Sequence, residues 1–356
     1  MEKRAEKTTI VDVARTAGVS VGTVSRVLNG NTKVRAQLRQ KVQAAIDELG
    51  YAPNAVAQSM RRRSTHTVGC VIREINLPPL AAFVRAAHDV LDQAGFSLLL
   101  SNSEGGRDRE RELLDRLSRG QADGVMIGPY SAITEEFDAF LRRLDIPIVL
   151  IDRDRPAWAD TVTTDHATGV RTATEHLLDL GHRRIGLITG SAELYPARER
   201  IRGYQEALRA RDIESDPSLI EASSFLPEKG FSYTSSALAS KWPPTAIIAG
   251  GIAMLPGVLH AVRVRGLRIP EDVSIVGSGD SELSELHTPP VSLQRWDQAE
   301  VGRIAASLLL DRILGRADAE PRHVLVPNEF VVRESTGPVR HAGGTPQRKV
   351  AQGGVT

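Results

Sequence analysis

The chain has 356 residues, of which 41% are hydrophobic and 25% are charged, the usual balance of a soluble globular protein. Its length predicts two or three globular units. The formal charge of +1 conceals an asymmetry, because residues 1–67 carry 12 Lys and Arg against 5 Asp and Glu, whereas the remainder carries 33 against 39. The basic segment favours a polyanionic partner, and the single cysteine, Cys70, excludes an intrachain disulfide.

The N-terminus has no apolar core of the kind found in secretory signals. No stretch reaches the roughly 18 consecutive apolar residues that a membrane span requires. A cytoplasmic protein without membrane contact is therefore expected.

The first predicted elements are three short helices within residues 1–52, the headpiece. Thr9 is placed to cap the first helix, Gly18 permits a left-handed turn, and Ser20 caps the second helix, which ends at Asn29-Gly30. A third helix is predicted from about Lys33 to Leu49. Two helices joined by a glycine turn form a helix-turn-helix, whose second helix enters the DNA major groove.

The second helix carries the candidate DNA contacts. Val21 and Gly22 lie at its leading end, Thr23 and Ser25 suit phosphate contacts, and Arg26 suits a guanine edge or a phosphate. The alternative is an ordinary helical hairpin that binds no ligand.

Residues 53–66 form the predicted hinge and linker. Asn54 is placed to cap a short helix that runs to Arg61 and includes Ala57 and Met60. Such a short helix is marginal in water by itself because nucleation is costly. A basic flexible linker is the alternative.

From Thr67 onward, short β-branched strands alternate with amphipathic helices, which predicts parallel sheets covered by helices on both faces. The number of units indicates two Rossmann-like lobes rather than one sheet. The predicted strands are Val68–Ile72, Phe96–Ser101, Gly124–Ile127, Ile148–Ile151, Arg184–Thr189, Ala246–Ala249 and Val273–Gly277, and examples of the predicted helices are Ala81–Ala94, Asp108–Leu117, Gly169–Leu180 and Arg198–Arg211.

Catalytic signatures are missing from the sequence. It contains no phosphate-binding loop, dinucleotide fingerprint, His-Glu-x-x-His zinc motif or nucleophile elbow. We therefore expect no enzyme activity, no cofactor and no metal, and an enzyme or a transporter's solute-binding protein is a remote alternative. Residues 337–356 are rich in Gly, Pro, Arg and Gln and are expected to be disordered, with no helix for tetramer formation.

The run VDVARTAGVSVGTVSRVLNG at residues 11–30, followed by LGYAPNAVA at 49–57, resembles the signature of the lactose-repressor (LacI/GalR) family of bacterial transcription regulators. The resemblance continues to about Thr336. It implies a repressor that binds palindromic double-stranded operator DNA as a homodimer, associated with the nucleoid, under the control of a small-molecule effector. It also implies a periplasmic-binding-protein-like domain at 67–336, with one lobe at 68–165 and 297–323 and the other at 166–296 and 324–336.

By this resemblance, Val21 and Gly22 take the base-reading positions, and Arg26 matches the family's recognition-helix arginine. Met60 takes the position of a leucine that wedges into the minor groove when the hinge helix folds on the operator. Asn29, Thr9, Ser20 and the hinge residues complete the predicted DNA contacts.

The resemblance also marks candidate effector contacts at strand ends. Asn76 and Leu77 follow the first strand, Asp152 follows the fourth, and Arg200 matches the effector-binding arginine. Phe225 takes the position of an aromatic that stacks on a sugar ring. The alternatives are a surface ion pair for Asp152, a structural salt bridge for Arg200 and a core position for Phe225.

Two departures from the family pattern affect the second lobe. Gly251 and Ile252 replace an Asn-Asp pair, and Gly279 replaces a ligand carboxylate, so acceptors for ligand hydroxyls are missing. With Arg200 retained and Trp296 nearby, the balance shifts from a neutral sugar toward an anionic or less hydroxylated effector. Control by a protein partner, or no effector at all, stays open as an alternative.

Overall fold

The computed structural model describes residues 8–28, 34–51 and 64–339. The chain divides into two compact units, residues 1–65 and 66–356. Each unit has its own hydrophobic core, and each is described separately below.

The headpiece contains three helices, α1 (Ile10–Ala17), α2 (Val21–Leu28) and α3 (Ala36–Leu49). Gly18 and Gly50 end α1 and α3 in the left-handed conformation, with φ of 64° and 56°. Small residues fill the core and let the three helices approach closely; they are Val13, Ala14, Ala17, Val24, Val42 and Ala45. The third helix begins at Ala36 rather than near Lys33, which itself lies outside the described residues, as do Asn29 and Gly30.

In the described part of the large unit, six strands form a first sheet: β1 (Thr67–Ile72), β2 (Ser97–Asn102), β3 (Gly124–Ile127), β4 (Ile148–Ile151), β5 (Asp160–Thr164) and β11 (His323–Val326). Their order is β11-β5-β4-β3-β1-β2, and all neighbours are parallel. Four helices belong to this first lobe: α4 (Pro78–Gln93), α5 (Arg107–Arg116), α6 (Glu135–Arg142) and α12 (Gln298–Ile313).

A second sheet of six strands contains β6 (Ile185–Gly190), β7 (Ile220–Ser223), β8 (Ala246–Ala249), β9 (Ser274–Ser278), β10 (Ser292–Arg295) and β12 (Glu329–Val331). Their order is β12-β10-β9-β8-β6-β7, and only β12 runs antiparallel to its neighbour. Its helices are α7 (His166–Asp179), α8 (Tyr195–Arg209), α9 (Pro227–Leu238), α10 (Leu255–Val264) and α11 (Glu282–Leu286).

Helices cover both faces of the two sheets. In β1, Val68 and Cys70 pack into one core cluster with α4 and α12, whereas Val71 packs into another with α5 and α6. This division explains why the strands read as continuous apolar runs. The predicted architecture, an all-α headpiece followed by a two-lobed α/β domain with parallel sheets, is confirmed.

The chain passes between the lobes at three places: from β5 to α7, from β10 to α12, and from β11 to β12. The last passage was predicted at residue 323 and comes later, because His323–Val326 adds to the first sheet beside β5.

The first residues of the predicted disordered tail are ordered by hydrogen bonds to the second lobe. The Gly337 N–H donates to Ser274 Oγ at 3.1 Å, and the Val339 N–H donates to the Leu180 carbonyl at 3.1 Å. Residues 340–356 lie outside the described part.

None of the described helices combines the length and the apolarity that a membrane span needs.

Candidate functional site

The start of α2 is built by reciprocal hydrogen bonds of small polar residues. Ser20 Oγ accepts the Thr23 N–H at 3.2 Å and lies 2.9 Å from Thr23 Oγ1, so both side chains are engaged in the helix cap. At the start of α1, Thr9 and Asp12 form a capping box, which lowers the pKa of the Asp12 carboxyl mainly through the Thr9 hydrogen bonds. Both helix starts are therefore fixed locally.

The outward face of α2 is polar and carries one charge. Gly22 and Arg26 are exposed, and a Cβ at residue 22 would lie 3.7 Å from the guanidinium of Arg26. Val21 is half-buried and packs against the headpiece core, so its side chain is less available than the sequence predicted, and Ser25 is half-buried too. The other predicted DNA contacts, Asn29, Asn54, Ala57 and Met60, lie outside the described residues.

In the large unit, two predicted side chains and one that was not predicted meet where the chain first passes between the lobes. Asp152, at the end of β4, accepts the Thr164 N–H at 2.8 Å and lies 3.2 Å from Nε2 of His166. His166 begins α7, and its Nδ1 lies 3.1 Å from Nη2 of Arg200 on α8. The Asp152–His166–Arg200 cluster thus joins the first lobe to the second.

The electrostatics of this cluster favour a neutral histidine between two charged groups. Burial and the nearby Arg200 charge lower the pKa of His166, although Asp152 opposes the shift. Burial lowers the pKa of Arg200 to about 10, which leaves it charged near neutral pH. Burial opposes ionisation of Asp152, but His166, the Thr164 N–H and Arg200 outweigh it and lower the pKa of the carboxyl. A neutral His166 accepts from Arg200 at Nδ1, and its buried Nε2 lies 3.2 Å from Asp152 Oδ2 without the geometry of a hydrogen bond.

Phe225 lies against glycine backbone beside this cluster. A Cβ on Gly190 would come within 2.1 Å of its ring, and one on Gly251 within 2.7 Å. The Arg200 guanidinium lies 5.5 Å from the ring centroid, a cation–π arrangement. Gly251 is therefore the residue that the Phe225 ring requires, which explains why no side chain stands there.

The second departure from the family pattern is linked to the first by packing. A Cβ on Gly279, whose φ is +76°, would lie 2.5 Å from Cγ1 of Ile252. The Ile252 side chain occupies the space that a carboxylate-bearing residue at 279 would need, and it also packs against the first-lobe core cluster that contains Trp296. The two departures, Ile252 and Gly279, therefore belong together, because the apolar side chain at 252 requires a glycine at 279.

Two cavities are lined by side chains that contact the Asp152–His166–Arg200 cluster, although none of the three cluster residues lines either cavity. The one at the lobe crossing measures about 610 Å³ and is lined by Gly279 and Trp296, whose indole meets His166 edge-on at 5.4 Å. The other measures about 180 Å³, lies between the lobes and is lined by Phe225. The structure thus assembles Asp152, Arg200, Phe225, Gly251, Gly279 and Trp296 around one region. Asn76 is exposed and Leu77 precedes α4, and neither lines these cavities.

Sequence reasoning missed three residues of this region. His166 carries no local sequence signal, because its role depends on partners 14 and 34 positions away. Arg73 and Arg107 line the smaller cavity and are not among the predicted effector contacts. Their position directly after β1 and at the start of α5 is the signal that could have found them, because ligands bind at the carboxyl ends of parallel strands.

Within the part of the chain that the structure describes, no cluster of His, Cys, Asp and Glu could hold a metal ion.

Comparison with known proteins decides the family. Residues 9–54 match the profile of bacterial regulatory proteins of the lacI family, and residues 174–336 match a periplasmic binding protein-like domain. The ribose operon repressor of Haemophilus influenzae is 34% identical over 334 residues, which cover 92% of this chain and 98% of that protein. Catabolite control protein A of Priestia megaterium is 32% identical, with 92% and 99% covered.

This chain belongs to the LacI family of bacterial transcription regulators.

Solved structures agree with this assignment. A lac repressor dimer bound to operator and the anti-inducer ONPF superposes with a TM-score of 0.81 at 29% identity, covering 93% of this chain and all of that one. A complex of the transcriptional regulator CelR with cellobiose gives a TM-score of 0.69 at 32% identity, with 92% and 99% covered. The chain is a DNA-binding transcriptional repressor and not an enzyme, and the expectation from its sequence signature is confirmed.

Proposed function

We propose that this repressor binds an approximately palindromic operator as a homodimer and that a small molecule of the sugar class controls this binding from the cleft between the lobes. The Asp152–His166–Arg200 cluster carries the proposal. Because it joins both lobes beside two cavities, a ligand that contacts Arg200 or Asp152 changes the free energy of one lobe arrangement relative to another.

The dimer follows from the geometry of DNA recognition. One headpiece presents one recognition helix, and two headpieces related by a two-fold axis read two half-sites. The exposed residues Ser20, Gly22 and Arg26 are the contacts that we assign to bases and phosphates. Asn29, Asn54, Ala57 and Met60 remain proposed contacts. Because the operator is part of the bacterial chromosome, the repressor acts in the cytoplasm and is associated with the nucleoid.

The effector class is supported by the relatives and by the cleft itself. One relative is a ribose operon repressor, and another structure holds cellobiose. Arg200 and Asp152 supply a charged donor and a charged acceptor, and Phe225 supplies a ring face. Residues 251, 252 and 279 offer no side-chain acceptor, which favours an effector with few hydroxyls at that place, although Asp280 and Glu329 line the adjoining cavity.

Mechanistically, the ligand acts by shifting a population. Binding between the lobes stabilises one angle between them and displaces the paired hinges, which alters operator affinity. A change of tenfold in operator affinity requires about 1.4 kcal/mol of difference in ligand binding between the two arrangements.

Genome-wide footprinting of the bound sites tests the proposal most broadly. We expect a palindromic motif upstream of genes for uptake or breakdown of one sugar class, and calorimetry with the corresponding compounds then identifies the ligand. Binding of a cellular protein by the large unit, with no compound of that class bound, would instead support control by a protein partner. A recovered motif without two-fold symmetry would refute the dimeric arrangement.

A further inference from the structure

The smaller cavity between the lobes has a positive wall on its first-lobe side. Arg73 follows β1 and Arg107 opens α5, and both line the cavity opposite Ser191 and Ser223 of the second lobe. A single carboxylate, that of Glu193, lines it, and this residue is exposed. The cavity therefore carries an excess of positive charge.

Neither cavity arginine is neutralised by an ion pair with any residue that the structure describes. Arg73 instead lies over the ring of Tyr130, with 5.9 Å between guanidinium carbon and ring centroid. An acid on the same helix as Arg107, Glu110, is buried and accepts the Tyr130 N–H at 2.9 Å. Burial raises the pKa of Glu110, against the effects of the Tyr130 N–H, Arg153 and Arg107, and its carboxylate makes no ion pair with Arg73 or Arg107 among the described residues.

A third arginine lies behind the first two. The Nε of Arg153 is buried and has no hydrogen-bond partner in the described chain, although its Nη1 donates to the Asp152 carbonyl at 2.6 Å. Burial lowers the pKa of Arg153 to about 10, with a smaller contribution from the Arg73 charge, whereas Asp152, Glu110 and Asp154 act in the opposite direction. The Arg73 and Arg153 charges repel each other, and a bound anion would relieve that repulsion.

Helix starts add further donors around the same cavity. The helix α5 begins after Gly106, α8 after Leu194 and α9 after Leu226, and none of these three starts has a side-chain cap. The cavity is lined by Arg107, Leu194 and Phe225, which lie at or next to these starts. The positive ends of the helix dipoles favour a negative ligand group, whereas Pro196 and Pro227 supply no N–H at the starts of α8 and α9.

We propose that the effector of this repressor carries an anionic group, a phosphoryl or carboxylate on a sugar-sized compound, and that Arg73 and Arg107 bind that group in the first-lobe wall of the cleft. This inference rests on the proposed function and specifies its ligand. The cavity of about 180 Å³ is smaller than the roughly 300–1,000 Å³ typical of ligand pockets, so it suits the charged end of a ligand. The rest of the ligand extends toward Phe225 and Arg200, or the two lobes separate to admit it.

Inorganic phosphate is the simplest probe of the site. We expect phosphate to raise the melting temperature of the full-length protein above that in chloride at matched ionic strength. The rise is lost in the double variant Arg73→Gln/Arg107→Gln and kept in Arg116→Gln, which removes an exposed arginine from the other end of α5. Equal phosphate effects on the double variant and the control would overturn the proposal.

Calorimetry on the full-length protein then separates the possible sources of the charge. The panel pairs hexose 6-phosphates and hexuronic acids with their neutral parent hexoses. We expect one anionic series to bind at least tenfold more tightly than its parent, and the double variant to lose that advantage. Tighter or equal binding of the neutral parent overturns the anion site while leaving effector control intact. The folding of the double variant is checked without ligand. Loss of operator binding would point to a folding defect, whereas an unchanged circular dichroism spectrum and operator affinity exclude such a defect.

Discussion

The contact between Gly279 and Ile252 allows a quantitative prediction for a single methyl group. In Gly279→Ala, the new Cβ takes a φ of +76° and lies 2.5 Å from Cγ1 of Ile252. The left-handed conformation costs about 1–2 kcal/mol, and overpacking adds about 1–3 kcal/mol. We therefore expect the free energy of unfolding of the large unit to fall by about 2–5 kcal/mol.

Two further variants separate the two causes. Gly266→Ala places a Cβ at a φ of +67° with nothing within 4 Å, so it measures the conformational cost alone. In an Ile252→Ala background, the nearest remaining atom of residue 252 is its Cβ, 3.6 Å from the new methyl group, and the overpacking cost of Gly279→Ala should disappear. Urea denaturation of all four members of this double-mutant cycle gives the coupling energy, expected at about 1–3 kcal/mol. A coupling energy of zero would refute the packing argument.

Three other variants probe the large unit. Asp160→Asn removes a buried counter-charge from Arg312 and Arg322, whose guanidinium groups donate to it at 2.7 and 2.9 Å, and should lower the unfolding free energy by about 3–5 kcal/mol in urea titrations. Burial lowers the pKa of His182 below its usual value of 6.5, against the effect of a backbone carbonyl, so the native state loses stability as pH falls below about 6.5; His182→Gln should flatten this dependence in thermal melts between pH 8 and pH 5. Arg200→Lys keeps the charge but loses the planar fork, and calorimetry should show effector affinity at least tenfold lower with operator affinity unchanged.

Matched controls make these outcomes decisive. Asp311→Asn removes a half-exposed partner of the same arginine network and should cost less than about 1 kcal/mol. An equal loss in both aspartate variants would contradict the buried-charge argument. His260 is exposed, and His260→Gln serves as the control for His182→Gln. If both variants flatten the pH dependence equally, the effect comes from the overall charge of the protein and not from the burial of His182.

The sequence predicted the elements whose signals are local. The caps of α1 and α2 depend on Thr9 and Ser20 and on residues three positions further on, and apolar runs located β3, β4 and β8 with their observed bounds. The strand β5 was missed because it reads Asp-Thr-Val-Thr-Thr, although every one of its residues is buried. Asp160 tolerates burial only because arginines more than 150 positions away reach it, and no local pattern contains that information.

For the candidate site too, the sequence predicted the individual residues but not the contacts between them. Strand ends and the family signature placed Asp152, Arg200 and Phe225 in one region. They did not reveal that Phe225 packs on Gly190 and Gly251, or that His166 connects the charges, because these contacts join segments distant in sequence. Departures from a family pattern can thus be recognised in a sequence, whereas the packing that explains them requires the fold.

Operator binding by the purified full-length protein tests the central claim, that two copies of α2 read DNA. The measurement compares affinity for a selected palindrome, for one half-site of it and for random duplex at moderate ionic strength, with Arg26→Ala and Lys41→Ala as the test and control variants. We predict a preference for the palindrome over random duplex of about 10³-fold or more, which Arg26→Ala reduces and Lys41→Ala does not. Equal affinity for the palindrome and the random duplex, or equal effects of the two variants, would contradict the account.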